Sequence, residues 1–136
     1  MTGPDQYQGI KMPRPILALE NIHPSIHNTV IDNYSDTVTE VQRAVADNPV
    51  VMVGMAQNPV PKKARKMLDE QGIDFAYLEY GNYFTEWRRR NALKMWTGWP
   101  TFPMIFVKGT LIGGASNLQA LIDNNELSAM LTEDNH

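Results

Sequence analysis

At 136 residues the chain suits one compact domain with length left over for an extension, and its hydrophobic fraction of 43% is ordinary for a globular protein. A formal net charge of −3 gives no electrostatic footprint for nucleic acid, and no apolar run approaches the roughly 20 residues of a membrane span. There is no cysteine, so the chain alone holds no disulfide, thiolate nucleophile, zinc–thiolate site or cysteine-ligated iron–sulfur cluster.

Residues 1–34 carry Pro4, Pro13, Pro15 and Pro24 among polar residues and read as an irregular extension. They lack the basic-then-apolar order of a signal peptide, so a cytoplasmic location is expected. Ile16-Leu17-Ala18-Leu19 is the one apolar run, expected to dock as an edge strand, with partner binding as the alternative. His23 and His27 are four apart, but Pro24 between them and the lack of a third ligand favour a plain loop over a metal site.

From residue 35 to 131 the pattern is that of one domain. Thr37 to Glu40 fits a capping box, and Val38, Val41, Ala44 and Val45 follow at helical spacing until Asn48-Pro49 stops the helix. Val50 to Val53 is continuously apolar, as expected of a strand buried on both faces. A second helix is expected after Asn58, whose side chain suits its N-cap, with Pro59 or Pro61 in the first turn. Met67 and Leu68 should pack inward, and Gln71-Gly72 closes the helix. Lys62, Lys63, Arg65 and Lys66 read as a solvated face, with an acidic partner as the less favoured reading.

Phe75 to Tyr80 alternates as a strand. Thr85 is expected to cap a helix carrying Arg90 and Lys94, four apart on one face, together with Trp87 and Trp96. Trp87, Trp96 and Trp99 are expected in the core or on a groove wall. Met104 to Val107 and Thr110 to Ile112 flank Lys108-Gly109, a two-residue hairpin signal. A prolyl bond precedes the hairpin and Gly113-Gly114 follows it, where a ligand could approach the backbone closely. Asn117 to Ile122 and Glu126 to Leu131 continue as helix, and the tail 132–136 is expected to fray.

The run Trp99-Pro100-Thr101-Phe102-Pro103, followed by a hairpin and Gly109-Thr110-Leu111-Ile112-Gly113-Gly114, resembles the glutaredoxin family, most closely its monothiol branch. The resemblance implies a thioredoxin-like α/β fold: a four-stranded mixed sheet with helices on both faces, and a cis Phe102-Pro103 edge that leaves backbone groups free to pair with an extended ligand. It also places Asn58 at the family's nucleophile position and Pro61 at its resolving position, so no catalytic residue is assigned. Met55 stands where the family has a lysine, and Ala115-Ser116 stand where it has Cys or Ser followed by Asp.

Carried over residue by residue, a glutathione groove would use Arg90, Lys94, Thr101, Phe102, Pro103, Gly113, Gly114 and Ser116, with no metal ligand among them. The function so implied is a cysteine-free, redox-inactive binding module for glutathione or a protein partner. One alternative is an enzyme in which bound glutathione supplies the thiol, with Asn58, Thr101 or Tyr77 as loose candidates to activate its sulfur. Another is a structural protein assembling through Ile16 to Leu19 and its aromatic face.

Overall fold

A computed structural model of the protein describes residues 14–132. The expectations for Pro4 and Pro13, and for the tail beyond Thr132, lie outside the described residues. The chain divides into two units at Asn33/Tyr34.

In the first unit, residues 14–18 are irregular, Leu19–Asn21 and Pro24–Ile26 are 3₁₀ turns, and α1 spans His27–Ile31. His23 Nδ1 accepts the Ser25 amide, and His27 Nε2 lies 2.6 Å from the Ile22 carbonyl. The strand expected at Ile16 to Leu19 does not form: Pro15 precedes the run and its end curls into the first 3₁₀ turn.

The second unit runs α2 (Ser35–Asp47), β1 (Val50–Gly54), α3 (Pro59–Glu70), β2 (Ala76–Glu79), α4 (Trp87–Thr97), β3 (Met104–Val107), β4 (Thr110–Gly113), α5 (Ala115–Asp123) and α6 (Glu126–Thr132). Its four strands form one sheet in the order β2-β1-β3-β4, with β1 parallel to β2 and antiparallel to β3, and β3 antiparallel to β4. This is the expected mixed sheet. Every residue of β1 is buried, and its side chains alternate between two cores. Val51 and Val53 pack with Val41 of α2 and Leu93 of α4, whereas Val50 and Met52 pack with Ala64 and Leu68 of α3, Leu118 of α5 and Leu127 of α6. Leu68 is fully buried and Met67 packs beside it, as their positions predicted.

Two helix starts differ from the sequence reading. α2 begins two residues before Thr37, after Tyr34 in a left-handed conformation, and Thr37 becomes a buried helical residue instead of a cap. α4 begins after left-handed Glu86; Thr85 Oγ1 instead accepts the Asn82 amide inside a polar turn. In both cases the residue that turns the chain has no side-chain capping bond, so the usual capping alphabet does not mark it. Between β3 and β4 the hairpin forms as its sequence predicted, with Lys108 and Gly109 both at positive φ, as a type I′ turn requires. The register then skips Ile112, pairing Ile105 with Gly113 and Phe106 with Leu111.

Tyr80, just beyond β2, ties three elements together. Its amide donates to Gly54 of β1, its carbonyl accepts from Arg90 of α4, and its hydroxyl donates to Glu40 of α2. Burial first, then the Glu40 hydrogen bond and the Glu40 charge, push the phenol up from its ordinary value. Burial and Glu79 likewise push Tyr77 up to about 12. The folded state thus holds both phenols neutral past the pH, about 10, at which an unfolded tyrosine ionises. Their stabilisation is complete below that pH and is lost as pH rises through the folded values. Urea denaturation should show stability level up to pH about 10 and falling above it, with a shallower fall in Tyr80→Phe, which should also lose about 1 to 2 kcal/mol at neutral pH.

Candidate functional site

The C-terminal end of β1 leads through Met55 to Asn58 and into α3, and the loop after α4 brings the Phe102-Pro103 bond, which is cis, alongside that turn. Between them lies a groove of about 510 Å³. One wall is α3, through Val60, Lys63 and Met67, which share a helix face. Another is Trp99, Thr101, Phe102 and Pro103, and the third is the start of α5, from Gly114 to Asn117, with Gln119.

Local chemistry explains each wall. α3 begins at Asn58, whose Oδ1 accepts the Val60 amide at 3.0 Å, the capping role read from the sequence. Pro59 and Pro61 flank Val60 and have no N–H to offer. The first turn of α3 therefore presents an amide-poor end where a helix N-terminus ordinarily exposes several free donors. α5 differs. Its N-cap, Gly114, has its amide accepted by Asn117 Oδ1 at 3.0 Å, and its first turn carries Ser116, exposed at the groove.

Of the two glycines at this corner, Gly113 is required by contact and Gly114 is not. A Cβ on Gly113, which sits at φ +110°, would lie 2.5 Å from Asn117 Oδ1, and one on Gly114 would stand 3.4 Å from the Pro103 carbonyl. Gly113 thus makes room for the Asn117 cap, and Gly114 forms groove surface. Trp99 is half-buried in the wall, and its indole Nε1 is buried without an acceptor among the described residues.

Of the residues singled out in the sequence, the groove brings together Thr101, Phe102, Pro103, Gly114 and Ser116. Gly113, the residue before Gly114, is not among the lining residues. Arg90 and Lys94 are not among the lining residues. Arg90 is 93% shielded from solvent (7% exposed), and its Nη1 donates to the carbonyls of Tyr80 at 2.9 Å and Thr85 at 2.6 Å. Burial lowers its pKa, while Glu86 and Tyr83 act in the opposite direction. Lys94 places Nζ 5.8 Å from the ring centroid of Phe102, a groove residue.

Met55, which the resemblance sets where the family has a lysine, is buried in the core. Lys63 is the groove cation that the sequence reading missed; only the packing of Pro61, Ala64 and Leu68 against the sheet reveals which way the α3 lysines turn. Trp87, expected in the core or on a groove wall, is 51% exposed with Arg88 over its ring, and Trp96 stacks on Phe106. Among the described residues no group of three His, Asp or Glu could hold a metal ion, and no helix is long and apolar enough to cross a membrane.

The glutaredoxin family profile matches residues 50–112. A glutaredoxin-like protein of Dictyostelium discoideum is 50% identical over 93 residues, covering 68% of this chain and 76% of that one. The chain belongs to the glutaredoxin family. The bifunctional monothiol glutaredoxin-S16 of Arabidopsis thaliana chloroplasts is 31% identical over 96 residues, 67% of this chain but 33% of that longer protein. The crystal structure of a buckwheat glutaredoxin–glutathione complex superposes with a TM-score of 0.67 at 25% identity, covering 74% of this chain and 92% of that one. The second unit is thus a thioredoxin-like glutaredoxin fold without a cysteine.

Arg90→Ala should lower stability by about 2 to 4 kcal/mol, because two carbonyls lose a charged donor. Lys94→Ala, which removes one loose cation–ring contact, should cost less than about 1 kcal/mol. Thermal or urea denaturation of the two variants checks the difference.

Proposed function

We propose that this glutaredoxin is a binding module that takes glutathione in the groove beside Phe102-Pro103 and performs no thiol–disulfide exchange. The carrying observation is the groove itself: Thr101, Phe102, Pro103 and Gly114 stand together against the start of α5, in a chain that has no cysteine. Exchange requires a thiolate to attack sulfur, and an amide side chain supplies none.

The groove fits an extended ligand with carboxylate ends. The first-turn amides of α5 and the Ser116 hydroxyl suit one carboxylate, since helix N-termini favour anions. Lys63 supplies a cation from the opposite wall, and Lys94 adds charge behind Phe102. Trp99, Phe102 and Gly114 line the groove between these two ends. Arg90, with Nη1 on two carbonyls, serves chiefly to hold the 80–85 turn. With Met55 in the lysine's place and Ser116 in the aspartate's, affinity should be weak, in the range of about 0.1 to a few mM. An extended segment of a partner protein would use the same edge.

Titration with reduced glutathione, followed through backbone amide resonances, should give saturable shifts at Thr101, Phe102, Gly114 and Ser116. No shift up to several times about 1 mM would overturn glutathione as the ligand and leave a protein segment. Measurable turnover in a glutathione-coupled disulfide reductase assay would overturn the inactive reading.

The amide-poor start of α3 makes a second prediction. In Asn58→Cys the new thiol would have the Val60 amide as donor but none from Pro61. Replacing Pro61 by Ala as well restores an N–H and should lower the thiol pKa by about 1 unit relative to Asn58→Cys. Equal thiol pKa values, measured by pH-dependent alkylation, would show that the missing amide is irrelevant.

A further inference from the structure

A second concavity, about 770 Å³, lies between α3 and the outer strand β2. On α3 it uses Pro59, Lys62, Arg65, Lys66 and Asp69 where the groove uses Val60 and Met67, and Lys63 borders both. The stripe between these two, Pro61, Ala64 and Leu68, is buried, so the two hollows open on opposite flanks of one helix. The floor is aromatic. Phe75 and Tyr77 are half-buried there, and the Arg65 guanidinium covers the Tyr77 ring at 4.2 Å.

The charge of this trough runs against that of the molecule. Lys62, Lys63, Arg65 and Lys66 face a single carboxylate, Asp69, whereas the chain as a whole is at −3. Lys62, Lys63 and Lys66 are exposed, and among the described residues none of them is ion-paired.

We propose that the trough binds an extended acidic segment of a partner protein, its carboxylates on the three lysines and an apolar side chain on Phe75 and Tyr77. From Pro59 to Asp69 the helix is about 15 Å long, which matches four or five residues of extended chain. A single phosphate group would draw further support from convergent backbone amides, and this end of α3 lacks them: Pro59 and Pro61 have no N–H and Asn58 occupies that of Val60. Separated ammonium groups over an aromatic floor suit carboxylates spaced along a peptide. Tyr77 bears on the trough through its ring alone, because its hydroxyl donates to Glu79 at 2.9 Å.

The probe is the hexapeptide Glu-Leu-Glu-Phe-Glu-Leu carrying an uncharged dye, titrated with the full chain and read by fluorescence anisotropy. Saturable binding is expected, weakened at least about tenfold in Lys62→Glu/Lys66→Glu and by raising salt from about 50 to 500 mM. It should stay within about twofold in the control Arg43→Glu/Lys108→Glu, which makes the same charge change elsewhere. The milder pair Lys62→Gln/Lys66→Gln, expected to weaken binding in the same direction, serves if the reversed pair fails to fold. Absence of saturable binding at about 1 mM protein, an equal loss in the control pair, or tighter binding of inorganic pyrophosphate in competition would each overturn the proposal.

Discussion

The burial of β1 on both faces is the constraint from which the rest of the unit follows. Five consecutive residues without exposure leave no solvent side to the middle of the sheet, so helices must cover both faces. The alternation of Val51 and Val53 against Val50 and Met52 then sorts the helices, α2 and α4 to one core and α3, α5 and α6 to the other. Because β1 feeds α3 and returns parallel as β2, the N-terminus of α3 must lie at the C-terminal end of the central strand. That end is where the Phe102-Pro103 edge and the start of α5 also converge.

What occupies that corner separates architecture from chemistry. A strand end, a turn, a helix start, a prolyl edge and paired glycines meet there. The chain has no thiol, and the start of α3 would support a thiolate poorly, since Asn58 consumes one first-turn amide and Pro61 has none to offer. These features favour one another. An uncharged cap has no need of the anion-stabilising donors around it, and without them a thiolate would be poorly held. α5, by contrast, has its own cap and presents its first turn at the groove.

The sequence disclosed those features whose cause is local. The apolar run at 50–53, the Lys108-Gly109 turn, the Asn58 cap and the Gly72 stop are each written within a few residues, and each forms where it was read. The starts of α2 and α4 were misread because Tyr34 and Glu86 adopt left-handed conformations imposed by their surroundings, and neither residue type advertises it. The position of Arg90 was legible, but its hydrogen bonds were not: Tyr80 and Thr85 lie ten and five residues away, brought within reach by a turn built on Asn82. Lys63 failed for the opposite reason. Four cations in five residues look alike until the sheet decides which face of α3 is buried.

That decision about α3 gives the helix two flanks of different character. On the groove side a single lysine joins aromatic and backbone surface, a composition suited to one small ligand of defined shape. On the β2 side several cations line a trough with an aromatic floor, Arg65 lying over the Tyr77 ring, a composition that rewards charge and length more than shape. Lys63 borders both, so an anion held on one flank lowers the positive potential available to the other. Occupancy of the two flanks is therefore expected to be weakly competitive through charge alone, and reciprocally so, since a coupling free energy acts equally in both directions.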